Sequence, residues 1–195
     1  GATHIAWRDN LEALAARHAV YAPDLPGHGQ SDKPRLKYSP DMSRRFLEGF
    51  LDALGIQRVA LVGNSLGGFI ALALALDRPE RVSHLALVDS AGLGREVNWF
   101  LRLVSLPPFG ELLEQPTLAG SGTLLRAVFY DRRFATPELA KELYRARHTP
   151  RAKAAVLNTV RNGVNIFGLR RRAILLHRLP ELRMPVLLIW GAQDR

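Results

Sequence analysis

One stretch constrains this chain more than any other: Val59-Ala60-Leu61-Val62-Gly63-Asn64-Ser65-Leu66-Gly67-Gly68. Its first four residues are apolar and rich in valine and leucine, which predicts a short buried strand. Gly63-x-Ser65-x-Gly67 follows at once, and Phe69-Ile70-Ala71-Leu72-Ala73-Leu74-Ala75-Leu76 then reads as a buried helix. A strand, Gly-x-Ser-x-Gly and a helix in that order form the context of a nucleophile elbow. The turn is so tight that the serine is expected at positive φ. Side chains two residues before and after it are expected to run into backbone, so both positions call for glycine. The turn lifts the Ser65 hydroxyl clear of the sheet. It also aims the Leu66 N–H and the positive end of the helix at the same point, where an oxyanion can be held.

Three further segments stand in order around the elbow. Tyr21-Ala22-Pro23-Asp24-Leu25-Pro26-Gly27-His28-Gly29-Gln30-Ser31-Asp32 precedes it, Asp77-Arg78-Pro79-Glu80-Arg81-Val82 follows its helix, and Pro185-Val186-Leu187-Leu188-Ile189-Trp190-Gly191-Ala192-Gln193-Asp194 closes the chain. With them the chain resembles the α/β-hydrolase superfamily, in its serine-nucleophile branch with a helical cap, over nearly its whole length. The resemblance makes these segments the loop after the family's fourth strand, the turn after the nucleophile helix, and the strand leading to a catalytic acid.

Alternation of strand and helix predicts an α/β fold, a mostly parallel sheet flanked by helices. Residues 4–16 read as a helix, 19–22 as a short strand, Pro40 to Leu54 as a helix closed by Gly55, and 84–89 as another strand. The alternation breaks near Ala91. Helix starts at Thr136-Pro137-Glu138 and Thr149-Pro150, and a stop near Asn162-Gly163, mark the region that follows. The expected organisation is a partial hydrolase core of residues 1–91 and 184–195, with residues 92–183 inserted as a helical cap or lid that has no sheet of its own. Within the cap, Trp99 to Leu106 is an apolar stretch that either lines a substrate pocket or packs the cap on the core.

Composition narrows the partners. The net charge is +9, and residues 92–183 hold 16 Lys+Arg against 7 Asp+Glu, so the whole excess lies there, densest at Arg170-Arg171-Arg172. No nucleic-acid motif or aromatic stacking platform accompanies it, and the expected reading is a solvated arginine-rich surface with no nucleic-acid partner. No run of about 18 apolar residues exists to span a membrane. Neither a signal peptide nor a cysteine is visible, and a cytoplasmic location is expected. The expected partner is a small-molecule substrate, and no cofactor or metal is expected.

A serine hydroxyl needs an adjacent base, normally a histidine oriented by a carboxylate. In this fold the chain order is Ser, then Asp or Glu, then His. The resemblance implies Asp194 as the acid, with Asp89 at the end of the preceding strand as the rival. All six histidines precede Asp194. None falls at the family position of the base, and His28 reads as structural. Gly1-Ala2-Thr3 looks like the tail of the family's His-Gly motif, which supplies a second oxyanion N–H. The chain therefore reads as an internal fragment of a longer hydrolase, expected to lack turnover and to fold poorly by itself.

The expected activity is attack of Ser65 on an ester or similar acyl compound through an acyl-enzyme. The elbow Gly63-Asn64-Ser65-Leu66-Gly67-Gly68 and the segment Phe129 to Leu139 are also similar to the carbon–carbon bond hydrolases of aromatic ring-cleavage products. Those use a cap arginine for the substrate's acid group. Leu143 falls at that position, with Arg145 and Arg147 nearby. A non-catalytic ligand-binding member of the fold is the alternative from another class.

Overall fold

The computed structural model describes residues 3–194. Gly1 and Ala2, assigned above to the tail of a His-Gly motif, lie outside the described residues, as does Arg195. The predicted first helix is a 3₁₀ turn, His4–Trp7, running into α1, Arg8–Ala15. Helix α2, Pro40–Ala53, starts where Ser39 accepts a hydrogen bond from the Met42 N–H at 3.2 Å. It ends where Gly55, at φ +68°, lets the Ile56 N–H return to the Leu51 carbonyl at 2.9 Å. Strand β1, Val59–Asn64, then meets helix α3, Leu66–Asp77, through Ser65. Strand β2 is Val82–Val88.

Between β2 and the last strand come helices α4 (Trp99–Val104), α5 (Phe109–Leu113), α6 (Leu118–Val128), α7 (Pro137–Arg147) and α8 (Ala152–Gly163). Their starts follow local chemistry. Asn98, Thr117 and Thr136 each accept a hydrogen bond from a first-turn N–H. The predicted start at Thr149-Pro150 is displaced: α8 begins after Arg151, which adopts a left-handed φ of +65° and gives no side-chain cap. A two-stranded antiparallel hairpin also lies in this region, β3 (Val164–Asn165) against β4 (Gly168–Leu169). This corrects the expectation of a purely helical segment. Two residues per strand are too few to show alternation in sequence.

The last strand, β5, is Val186–Ile189. The main sheet has the order β1-β2-β5, all parallel, with Leu61 opposite Leu85 and Leu87 opposite Leu188. Residues 19–22 form no strand. A strand exists by pairing, and β1 has β2 on one side and no described strand on the other.

The core is organised around α3, apolar all the way round, as a helix enclosed on every side must be. Ile70, Leu72 and Leu74 are at most 1% exposed. They pack with Leu61, Val82, Leu85 and Leu87 from the sheet and Leu51 from α2. Full burial of each such side chain stabilises by about 1.5–3 kcal/mol. The opposite sheet face is open at Val62, and β5 is exposed along its length.

Candidate active site

Ser65 stands between the end of β1 and the first turn of α3 with φ +52° and ψ −115°, a conformation that costs a non-glycine residue of order 1–3 kcal/mol. The neighbours impose it. The Ser65 N–H donates to the Val88 carbonyl at 3.0 Å, and the Ser65 carbonyl accepts from Phe69 and Ala91, both at 3.1 Å. Ser65 is nonetheless exposed, and no described residue hydrogen-bonds its hydroxyl. It makes no side-chain cap bond, and the first turn of α3 carries no acidic residue. Nothing there competes with an anion for the first-turn N–H groups, Leu66 included.

The glycine requirement is distributed differently from the sequence expectation. A Cβ on Gly63 would lie 2.4 Å from the Gly67 carbonyl oxygen, so that position is closed to other residues. A Cβ on Gly67 would meet nothing within 4 Å. The second crowded position is Gly68, whose Cβ would sit 2.5 Å from the Ser90 Oγ. The elbow is thus tightened by Gly63 against the turn and by Gly68 against the segment after β2.

Because the three strands are parallel and adjacent, their C-terminal ends bring Ser65, Asp89 and the turn to Asp194 to one edge of the sheet. Asp89 has φ +43°; its N–H donates to the Ile189 carbonyl at 2.9 Å, and its Oδ1 accepts from the Gly191 N–H at 2.8 Å. That carboxylate is engaged in fixing the turn after β5. Asp194 closes the same turn by donating its N–H to the Gly191 carbonyl, and its side chain is exposed. The link from Asp89 to Gly191 escapes the sequence reading. A lone aspartate after an apolar strand gives no sign of a partner a hundred residues on.

No histidine among the described residues is hydrogen-bonded to Ser65 or Asp194. His28 is buried with Nδ1 3.2 Å from the Pro26 carbonyl, and burial pushes its pKa down to about 4, so it is neutral at pH 7. The His4 ring lies 3.1 Å from the Asp24 carboxylate, and His148 stacks on Tyr144 with centroids 4.8 Å apart. His84 is exposed in the body of β2, and His18 and His177 are exposed as well. A cleft of about 540 Å³ lined by Glu111, Arg151, Lys153, Leu157, Asn158 and Arg161 includes neither Ser65 nor Asp194. Among the arginines considered for an acid group, Arg145 is exposed, while Arg147 forms an ion pair with Glu114 in which both side chains are largely buried.

The alpha/beta hydrolase fold family profile matches residues 1–195. The chain belongs to the alpha/beta hydrolase fold family. An uncharacterized Mycobacterium tuberculosis protein is 36% identical to this chain over 199 aligned positions, covering 96% of this chain and 57% of the relative. A 2-hydroxy-6-oxononadienedioate/2-hydroxy-6-oxononatrienedioate hydrolase of Paraburkholderia phymatum is 35% identical, covering 95% of this chain and 64% of the relative. A meta-cleavage product hydrolase from Pseudomonas fluorescens IP01 is similar in structure, with TM-score 0.80 and 29% identity, over 100% of this chain and 69% of that one. The chain thus spans a little over half of the length of the M. tuberculosis relative and 64% of the P. phymatum enzyme. No helix among its described residues is long and apolar enough to cross a membrane.

Proposed function

We propose that Ser65 is the nucleophile of a serine hydrolase acting on an ester or similar acyl substrate. The observation that carries the reading is the strained, exposed Ser65 backbone at the junction of β1 and the uncapped first turn of α3. Oγ attacks the carbonyl carbon, and the oxyanion forms beside the Leu66 N–H. Collapse expels the leaving group and leaves an acyl-enzyme, which water then hydrolyses. Asp194 orients the base. Support for Asp194 over Asp89 comes from the Asp89 carboxylate being committed to the Gly191 N–H. The base is a histidine outside these residues, since none of the six here is hydrogen-bonded to Ser65 or Asp194. Residues 92–183 act as the lid that shapes the substrate pocket.

A second reading, a carbon–carbon bond hydrolase of aromatic ring-cleavage products, is favoured by the names of the 35% and 29% identical relatives. Leu143 at the expected arginine position, and the engagement of Arg147 with Glu114, weigh against it. The test uses the full-length protein. Ser65→Ala should abolish labelling by a fluorophosphonate probe. Comparing kcat/KM for p-nitrophenyl esters with that for a 2-hydroxy-6-oxo-dienoate then separates the readings. Unchanged labelling of Ser65→Ala would refute both.

A further inference from the structure

Among the described residues, three other than glycine have positive φ: Ser65, Asp89 and Arg151. Two of them stand at the ends of adjacent strands, Ser65 after β1 and Asp89 after β2. β2 is the middle strand, with β1 on one side and β5 on the other. The residues that leave β2 grip both neighbours. Toward β1, the Val88 carbonyl accepts from the Ser65 N–H at 3.0 Å and from Asn64 Nδ2 at 3.1 Å, and the Ala91 N–H donates to the Ser65 carbonyl at 3.1 Å. Ser90 lies between them, 3% exposed, its Oγ donating to the Ala91 carbonyl at 2.9 Å. Toward β5, the Asp89 N–H donates to the Ile189 carbonyl at 2.9 Å, and Asp89 Oδ1 accepts from the Gly191 N–H at 2.8 Å. The Gly191 carbonyl in turn accepts from the Asp194 N–H at 3.0 Å.

The left-handed residue makes this two-sided grip possible. In an extended strand the N–H groups of residues two apart face the same neighbour. Here the Asp89 N–H faces β5 and the Ala91 N–H faces Ser65, so the chain changes its facing at Asp89. Such a backbone is costly for a residue with a side chain and persists only where its surroundings over-determine it. Aspartate tolerates it better than most residues, and its carboxylate adds the bond to Gly191.

On the roles proposed above for Ser65 and Asp194, we infer that Asp89 is a positioning residue that registers the catalytic acid against the nucleophile. One short segment, Val88–Ala91, holds the N–H and the carbonyl of Ser65 on one flank and the turn leading to Asp194 on the other. The carboxylate of Asp89 closes that link. What it contributes is a hydrogen-bond acceptor and not a charge, because its partner is a backbone N–H. A residue that only ended β2 would leave kcat alone once the fold was intact. A positioning residue lowers kcat in a protein that is still folded.

The test compares Asp89→Gly and Asp89→Asn in the full-length protein, reading melting temperature, the rate of fluorophosphonate labelling, and kcat and KM for p-nitrophenyl butyrate. Glycine adopts a φ of +43° freely, so Asp89→Gly removes the acceptor while relieving the backbone, and it should melt near the parent. Its kcat and labelling rate should each fall about 10²-fold with KM changed less than about twofold, as for a misplaced catalytic group. Asp89→Asn keeps an acceptor oxygen and tolerates the left-handed backbone, and should return both rates to within about threefold of the parent. Parent-like rates in Asp89→Gly overturn the inference, as does a change confined to KM. So does a loss that vanishes when the assay is run well below the melting temperature of the variant. A loss in Asp89→Asn as large as in Asp89→Gly overturns it too, since the charge would then be what acts. Labelling of Ser65→Ala, or parent-like kcat in Asp194→Asn, would instead remove the roles of Ser65 and Asp194 themselves, and the inference with them.

Discussion

Replacing Asp24 with alanine should remove a large share of the stability of this domain, and the loss should depend on pH in one direction. The Asp24 side chain is 4% exposed and joins two loops. One oxygen accepts from the His4 N–H at 2.7 Å; the other accepts from the Gln30 N–H at 2.8 Å and lies 3.1 Å from the His4 ring. Burial by itself would raise this pKa. The Gln30 and His4 hydrogen bonds outweigh it and hold the carboxyl below its ordinary range. Asp24→Ala leaves two part-buried backbone N–H groups without acceptors, at about 1–3 kcal/mol each. A total near 3–5 kcal/mol is expected, against a typical domain stability of about 5–15 kcal/mol. A group whose folded pKa is depressed stabilises above its unfolded value, about 3.9, and loses that contribution as pH falls through the folded value. The difference in unfolding free energy between parent and Asp24→Ala should therefore be constant from neutral pH down to the carboxylate range and shrink below it. Urea unfolding of the full-length proteins across that range measures it. A cost under about 1 kcal/mol at neutral pH, or a difference that does not shrink in acid, would refute the clamp.

Gly63→Ala should prevent a folded elbow, whereas Gly67→Ala should fold and melt at or slightly above the parent temperature, since its Cβ meets open space and alanine favours the helix by about 1 kcal/mol; thermal melts of the pair decide this. Gly29→Ala should weaken the Asp24 clamp, because its Cβ would fall 2.0 Å from Asp24 Oδ2 at φ +51°, and its acid unfolding should move toward neutral pH. Asp194→Asn should lower kcat by about 10⁴-fold with little change in melting, while Asp89→Ala should lower the melting temperature by removing the acceptor of the Gly191 N–H; a reversed pattern would make Asp89 the acid. Arg147→Ala should destabilise by about 3–5 kcal/mol by leaving Glu114 buried and unpaired, and the paired change Arg147→Met with Glu114→Leu should recover most of it in chemical denaturation.

The elbow is legible in the sequence because its signals are local: an apolar strand, a glycine pair around a serine, and an apolar helix fall within eighteen consecutive residues, 59–76. The three strands are legible for a related reason, since β1, β2 and β5 are each short apolar runs. What escapes is non-local. Residues 19–22 have the composition of a strand, yet a ladder needs a neighbour that the residue pattern cannot supply. Gly68, not Gly67, is the crowded glycine because Ser90 arrives from the far side of β2. The β3–β4 hairpin is hidden because its geometry depends on the Arg95 carbonyl, distant in sequence, and not on any alternation of its own.

β5 enters the sheet beside β2 with Val186 opposite Leu85, three residues short of the point where β2 ends. The segment between them therefore leaves and rejoins the sheet within about 10–12 Å, one strand spacing across and three residues along. Two anchor points that close together tolerate exchange of what lies between them, because loop-closure entropy rises only slowly with length. If residues 92–183 shape the pocket as proposed, grafting the corresponding segment from another family member, with junctions after Ser90 and before Pro185, should change specificity. The graft must then supply the apolar residues that this segment packs into the core around α3, Val164, Leu169, Ala173 and Leu175.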